Sequence, residues 1–311
     1  MKKFIIVIIT SIFIQCQLVA DKRVAITIDD VPKTLKYEKD NFQPVLLNKI
    51  DSLKIPVTIF INEGQIYRNE HVEKNKELLE KWCANKLVTI GNHTRDHSRY
   101  SSTGFDEFTN DVKAGESLIF PLARKYRKKI KYFRFPFNDL GNGKDIHDDI
   151  YEFLKNRNYI VAPYTVESSD WMFNFLYTHY LKLGELDNAK EIGSIYVQKT
   201  IDTFSFFDSL ATTKYKRNIK HIYLCHDNSL NADYLPKIIS KLIDIGYDII
   251  PMDEAMKDKI YTQEIHYHGK YGISWLYRWM DNSDTRKTLM RKEPDLSEYF
   301  EMYYSLQERK K

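Results

Sequence analysis

The stretch VAITIDD, residues 24–30, decides how the chain begins to fold. Residues 24–28 are a strand-like apolar run, and they lead directly into Asp29 and Asp30, where a strand opens into a loop. Adjacent carboxylates repel each other, so a cation or a shared proton is expected to resolve the conflict. An isolated acidic pair is more often an ordinary loop with a helix cap, and the pair at residues 148–149, in a helix-start context, is assigned no function.

Strand-like runs and amphipathic stretches alternate outward from this first strand. The strand-like runs are residues 24–28, 57–61, 87–90, 132–137, 159–163, 222–225 and 247–251. The amphipathic stretches are residues 45–53, 75–84, 105–128, 146–156 and 234–245. This alternation predicts parallel βα units and an α/β fold. We predict a distorted, incomplete (β/α) barrel with about seven parallel strands, and an open doubly wound sheet is the alternative that periodicity leaves open.

The first 20 residues, MKKFIIVIITSIFIQCQLVA, have the layout of a secretory signal peptide. Lys2 and Lys3 precede an apolar run over residues 4–14, which is shorter than the ~20 residues that cross a bilayer. We therefore predict cleavage after Ala20, an exported protein, periplasmic or secreted, and no stable membrane span after cleavage. Lipid anchoring through Cys16 is the minority alternative.

The rest of the chain divides into a predicted catalytic domain, residues 21–257, and a helical C-terminal extension, residues 258–311. The extension is aromatic and charged and contains no strand signal. Its residues Trp275, Tyr277 and Trp279 could bind sugar, but aromatic residues at this spacing more often form a packing surface.

Charge and cysteine content narrow the classes of function. Removal of Lys2 and Lys3 with the signal peptide lowers the formal net charge from +4 to +2, so nucleic-acid binding is not indicated. Only Cys83 and Cys225 then remain, and we expect two buried thiols, although export would permit a disulfide between them.

The third strand-like run ends in GNHTRDH, which places His93 and His97 four residues apart. If this segment turns helically, both imidazoles share one face. Two neutral imidazoles and one carboxylate, here Asp30, make a three-ligand zinc site with an open position. Histidines at this spacing also occur as packed or exposed residues, so the nearby acidic pair is what strengthens the prediction.

Five short motifs together resemble the polysaccharide deacetylases of carbohydrate esterase family four, which carry the NodB homology domain. They follow the family's order over roughly residues 23–255, and their joint occurrence is specific. They are TIDD at 27–30, HTRDH at 93–97, RFPF at 134–137, SDW at 169–171 and LCH at 224–226.

The resemblance implies a role for each residue of the first three motifs. Asp29 is implied as the general base, and Asp30, His93 and His97 as ligands of Zn²⁺ or another divalent transition metal. Arg134 is implied to orient the base. Each role suits amide hydrolysis, which needs an activated water and a base to deprotonate it.

The remaining motifs imply the acid and the acetyl pocket. By resemblance, Asp170 supports His226 as general acid, Trp171 and Leu224 wall the acetyl pocket, and the backbone N–H of Phe137 faces the oxyanion. A buried carboxylate beside an imidazole holds it protonated, as a general acid requires.

The resemblance implies an enzyme that removes N-acetyl groups from a glycan containing N-acetylglucosamine. Two alternatives stay open: a metal amidase acting on a small N-acyl or N-formyl substrate, and a non-catalytic carbohydrate-binding protein on the same scaffold. Val31 and Asn138 stand where the family commonly has glycine, so the loops near the sugar are expected to differ.

Overall fold

The computed structural model describes residues 22–308. The predicted signal peptide, residues 1–20 with Cys16, lies outside the described residues. Within residues 22–308, no helix combines the length and the apolar character needed to cross a membrane.

Eight parallel strands in the described part of the chain form one sheet. They are β1 (Lys22–Val31), β2 (Val57–Ile61), β3 (Val88–Asn92), β4 (Tyr132–Phe133), β5 (Ile160–Val161), β6 (Val166–Glu167), β7 (Lys220–His226) and β8 (Tyr247–Ile249).

The strand order confirms the incomplete barrel. Seven strands run in the order β5-β4-β3-β2-β1-β7-β6, and β8 pairs with the first residues of β1. Successive strands therefore advance in one direction around the sheet, whereas a doubly wound sheet reverses direction partway. In the described sheet, β5 and β6 do not pair with each other, which leaves a seam between them. Strand β6 was not among the seven predicted runs.

Helices surround the sheet and follow most of the strands. They are α1 (Thr34–Lys39), α2 (Val45–Leu53), α3 (Val72–Ala84), α4 (Tyr100–Thr103), α5 (Phe105–Ala114), α6 (Ile119–Lys125), α7 (Lys144–Asn156), α8 (Asp170–Leu183), α9 (Leu186–Tyr215), α10 (Ser229–Asp244), α11 (Met252–Ala255), α12 (Trp275–Arg278), α13 (Ser283–Met290) and α14 (Ser297–Glu308). Within residues 22–308, three short 3₁₀ helices span Glu63–Tyr67, Pro136–Asn138 and Lys259–Thr262.

Two helical predictions differ from the structure. The amphipathic stretch 105–128 is not one helix, because it is broken between α5 and α6 near Gly115. A Cβ atom at Gly115 would lie 2.7 Å from the carbonyl carbon of Thr94, so this position is packed directly against the loop after β3. Helices α8 and α9 were not predicted, although α9 is 30 residues long.

The central strands are almost completely buried. All five residues of β2 are buried, as are residues 24–29 of β1 and residues 221–225 of β7. Such continuous burial is expected where helices cover one face of a parallel sheet and the barrel interior covers the other. Cys83 and Cys225 are buried and free, which confirms the prediction of two buried thiols.

The C-terminal helices are present, as predicted, and pack on the barrel. Trp275, Tyr277 and Trp279 are buried, so they act as packing residues. The backbone N–H of Trp275 donates to the carbonyl of Tyr164, 3.0 Å away, in the link between β5 and β6. The hydroxyl of Ser274 donates to the carbonyl of Thr165 at 2.8 Å in the same link. The extension therefore covers the seam of the barrel.

Candidate active site

A bulge at the end of β1 brings both carboxylates of the acidic pair to one cavity. Ile28 pairs with Ile59 and Val31 with Ile61, so β1 contains one extra residue between these pairs. Asp30 has φ +61°, and both Asp29 and Asp30 line the cavity. Adjacent side chains of a regular strand point to opposite faces, and a bulge changes this alternation locally.

The two histidines of the second motif meet Asp30, but through a loop and not a helix. Residues 93–99 are non-helical, and Thr94 and His97 have positive φ values. Asp111 of α5 fixes this loop, because its carboxylate accepts hydrogen bonds from the backbone N–H groups of residues 95, 96 and 98. The helical turn that the sequence suggested is therefore wrong. The two imidazoles nevertheless lie close together, with ring centroids 4.9 Å apart.

Asp30, His93 and His97 form a cluster that could hold a metal ion. One ligand atom from each lies within 4.8 Å of the others. The Nε2 atoms of His97 and His93 lie 3.2 Å and 3.8 Å from Oδ1 of Asp30. Nδ1 of His93 lies 2.7 Å from the carbonyl oxygen of Arg134, so a proton there leaves Nε2 free to act as a ligand.

The electrostatics of this cluster favour metal binding. Burial lowers the pKa of both His93 and His97 to about 4, so both imidazoles are neutral at neutral pH. Burial alone would raise the pKa of Asp30, but the neighbouring histidines lower it to about 2. Oδ1 of Asp30 is buried and has no hydrogen-bond partner within residues 22–308. A carboxylate and two neutral imidazoles fit a divalent transition metal.

Asp29 and Arg134 form a buried ion pair beside the cluster. Nη1 of Arg134 lies 3.6 Å from Oδ2 of Asp29. Arg134 is fixed by hydrogen bonds to the hydroxyl of Thr27 and the carbonyl of Pro163. Burial raises the pKa of Asp29 above its usual value, and the nearby guanidinium of Arg134 opposes this rise without cancelling it. A carboxylate with a raised pKa is a better proton acceptor.

His226 lies at the end of β7, next to β1, and is paired with Asp170. Nδ1 of His226 lies 2.7 Å from Oδ1 of Asp170. Burial disfavours the charged imidazole, but the Asp170 carboxylate reverses this effect and raises the pKa of His226 to about 10. Asn228 and Asn231, which the sequence reasoning did not identify, donate side-chain hydrogen bonds to Asp170.

The cavity over these residues has a volume of about 640 Å³. Phe137, Trp171 and Leu224 line it, where the resemblance placed them; Phe137 and Trp171 are 46% and 42% exposed, and Leu224 is buried.

Sequence reasoning missed Tyr271 and Gly272, which precede α12, and Tyr303 in α14. All three line the cavity. The aromatic character of the extension was the available signal, but it pointed to Trp275, Tyr277 and Trp279, which are buried.

The carboxyl ends of the strands thus bring together a cluster that could hold a metal ion and two residues, Asp29 and His226, that could exchange protons. Residues 18–157 match the polysaccharide deacetylase family model. This part of the chain, which contains the first three motifs, is therefore similar to the polysaccharide deacetylase family, as those motifs predicted.

The chain is 26% identical over 148 residues to a peptidoglycan-N-acetylglucosamine deacetylase from Bacillus cereus, an alignment that covers 48% of this chain and 46% of that protein. The chain thus spans about half the length of this curated relative.

Two solved structures align with this chain at low sequence identity. A polysaccharide deacetylase from Bacillus cereus aligns with a TM-score of 0.50 and 18% identity, over 74% of this chain and 91% of that one. A pseudoenzyme of the same family from Bacillus anthracis aligns with a TM-score of 0.47 and 17% identity, over 76% of this chain and 66% of that one.

Proposed function

We propose that this protein is a metal-dependent deacetylase that hydrolyses N-acetyl groups of polysaccharides or oligosaccharides containing N-acetylglucosamine. One observation carries the proposal: Asp29 and His226 are register partners on neighbouring strands, and both face the cavity that contains the Asp30, His93 and His97 cluster. A base and an acid thus flank one candidate metal site.

Asp30, His93 and His97 would hold the metal, for which zinc is the best candidate because zinc prefers such nitrogen and oxygen ligands. When bound, the metal supplies Lewis-acid polarisation and lowers the pKa of water. Cavity space above the three ligands leaves room for substrate.

The residues around the cluster can carry the proton transfers of amide hydrolysis. Asp29 accepts a proton from the attacking water, and Arg134 holds Asp29 in position through the buried ion pair. As the new C–O bond forms, the backbone N–H of Phe137 stabilises the negative charge on the acetyl oxygen. His226 then donates its proton to the departing nitrogen, the C–N bond breaks, and acetate and a free amine result.

The acetyl group would lie between Trp171 and Leu224, both of which line the cavity. Export, predicted from residues 1–20, would bring the enzyme to a glycan of the cell wall or of the extracellular space.

A substrate panel tests this function. Acetate release from N-acetylglucosamine oligomers and from peptidoglycan, measured beside formate release from small N-formyl compounds, separates glycan deacetylation from small-substrate amidase activity. We expect release from the glycans. Hydrolysis confined to the small compounds, or sugar binding without turnover, would contradict the proposal.

A further inference from the structure

The turn that carries Phe137 has an unusual backbone conformation beside the metal cluster. Phe137 and Asn138 have φ values of +56° and +50°, a left-handed region that costs free energy for residues other than glycine. The ring of Phe137 contacts the ring of His97, with centroids 4.6 Å apart. Two consecutive residues in this region must be held by their surroundings, so the contacts of this turn matter.

A buried arginine from the C-terminal extension binds this turn. Nη2 of Arg278 donates to the carbonyl oxygen of Asn138 at 2.9 Å and to that of Tyr271 at 2.8 Å. Nε of the same guanidinium donates to the carbonyl of Ile273 at 3.3 Å. One side chain therefore joins the Phe137–Asn138 turn to the loop of residues 271–273.

Arg278 is fully buried, and its hydrogen-bond partners are backbone carbonyls rather than a carboxylate. Its guanidinium lies 4.8 Å from the ring centroid of Trp275 and 5.3 Å from that of Tyr267. Nη1 of Arg278 is buried and has no hydrogen-bond partner within residues 22–308, so the hydrogen bonds of Nε and Nη2 are the ones that hold this side chain. Three backbone carbonyls and two aromatic rings therefore hold the Arg278 guanidinium in place.

Gly272 completes the contact between the extension and the turn. A Cβ atom at Gly272 would lie 2.3 Å from the carbonyl oxygen of Phe137 and 3.0 Å from Cβ of Asn138. Any side chain here would push against the turn. Arg278 thus binds the turn by hydrogen bonds, while Gly272 allows the extension to approach it closely.

We propose that Arg278 is a positioning residue for the reaction: it holds the Phe137–Asn138 turn so that the Phe137 N–H points at the acetyl oxygen. This inference rests on the proposed function and assigns a part of the active site to the C-terminal extension, outside the residues that match the family model. Arg278 itself does not touch the substrate.

The test compares Arg278→Met with Arg286→Met. Arg286 is the matched control because its guanidinium also lies over Tyr267, at 5.0 Å, but it donates to the carbonyl of Met280 and not to the turn. Misplacing an oxyanion donor costs roughly 100-fold in rate. We expect kcat of Arg278→Met to fall by about that factor with KM and zinc content nearly unchanged, and Arg278→Lys to recover part of the loss.

A second variant and a second measurement keep the test independent of folding and of activity. Gly272→Ala should also lower kcat, because its Cβ displaces the turn. Deuterium uptake by residues 134–140 should rise in Arg278→Met and not in Arg286→Met, because the turn's hydrogen bonds open more often. Unchanged uptake would overturn the role of Arg278, whether or not the enzyme is active. An inactive wild-type protein with raised uptake in the variant would instead count against the proposed function alone.

Discussion

His226 and Asp170 form a buried pair in which the carboxylate is fully occupied: Oδ1 faces the imidazole, and Oδ2 accepts the backbone N–H of His226 at 2.8 Å. Burial opposes the charge on His226, yet Asp170 raises its pKa to about 10. His226 is therefore protonated at neutral pH, as a proton donor must be.

Replacing Asp170 with Asn should shift the pH profile of activity. Because the pKa of His226 is raised, its protonated form is present below about pH 10 and is lost as the pH rises through that value. Without the carboxylate, the pKa of His226 falls, and the alkaline decline of kcat/KM should begin at lower pH.

The control for this experiment is Asp233→Asn. Asp233 accepts a hydrogen bond from the hydroxyl of Tyr177, away from His226. The alkaline decline of kcat/KM in Asp233→Asn should therefore match that of the wild type. Superimposable profiles for Asp170→Asn and the wild type would refute the role of the pair.

Replacing His97 with Ala should weaken metal binding. Even loss of an outer-shell partner costs roughly 10–100-fold in metal affinity, and we expect at least this loss in a chelator competition assay with zinc. His147→Gln serves as control, because His147 is buried but its Nε2 lies 3.2 Å from the carbonyl of Gly141, outside the cluster. Equal zinc affinity in both variants would show that His97 is not a ligand.

Tyr271 should stack on a sugar of the bound glycan. It is 66% exposed at the rim of the cavity, and we take the about 0.5–1.5 kcal/mol of a pair of aromatic rings as the scale for packing a sugar on its face. Tyr271→Ala should raise KM for N-acetylglucosamine oligomers about 2–10-fold while kcat stays nearly constant. Tyr304→Ala removes an aromatic ring that is similarly exposed but does not line the cavity, so it should leave KM unchanged.

The side-chain network behind Asp170 should contribute to stability. The hydroxyl of Tyr196 donates to Oδ1 of Asn231 at 2.7 Å, and Asn231 in turn binds Asp170. Tyr196→Phe leaves a buried acceptor unsatisfied, which should lower the free energy of unfolding in urea by about 1–3 kcal/mol. Tyr304→Phe, at an exposed position, should change it by less than about 0.5 kcal/mol. Equal stability of the two variants would contradict the proposed contribution of this network.

The strands that build the site were predictable because each carries a strong local signal. Runs such as residues 57–61 are apolar, buried and bounded by polar loops, and the carboxyl ends of parallel strands meet on one face of a barrel. The sequence could therefore predict that the polar residues following these strands lie together in one site. The run 159–163 indicated β5, whereas the two residues of β6, Val166–Glu167, carry too little pattern to be predicted.

Helix α9 was missed because its sequence has weak helical propensity and its stability depends on packing. It contains Gly193 and several β-branched residues, which disfavour a helix locally. Tyr234 of α10 packs against Gly193 so closely that a Cβ atom there would lie 2.0 Å from its ring. The bulge at Asp30 and the approach of Tyr271 to the cavity likewise arise from contacts between distant segments, which periodicity does not report.

The most direct test removes the metal from residues 21–311, restores Zn²⁺, and measures acetate release from N-acetylglucosamine oligomers in the wild type, in Asp29→Asn and in Asp148→Asn. Asp148 belongs to the other pair of adjacent aspartates, residues 148–149, and is exposed. Our account predicts metal-dependent release that persists in Asp148→Asn and is lost in Asp29→Asn, with zinc still bound to both. Release that survives metal removal, or that is undiminished in Asp29→Asn, would contradict it.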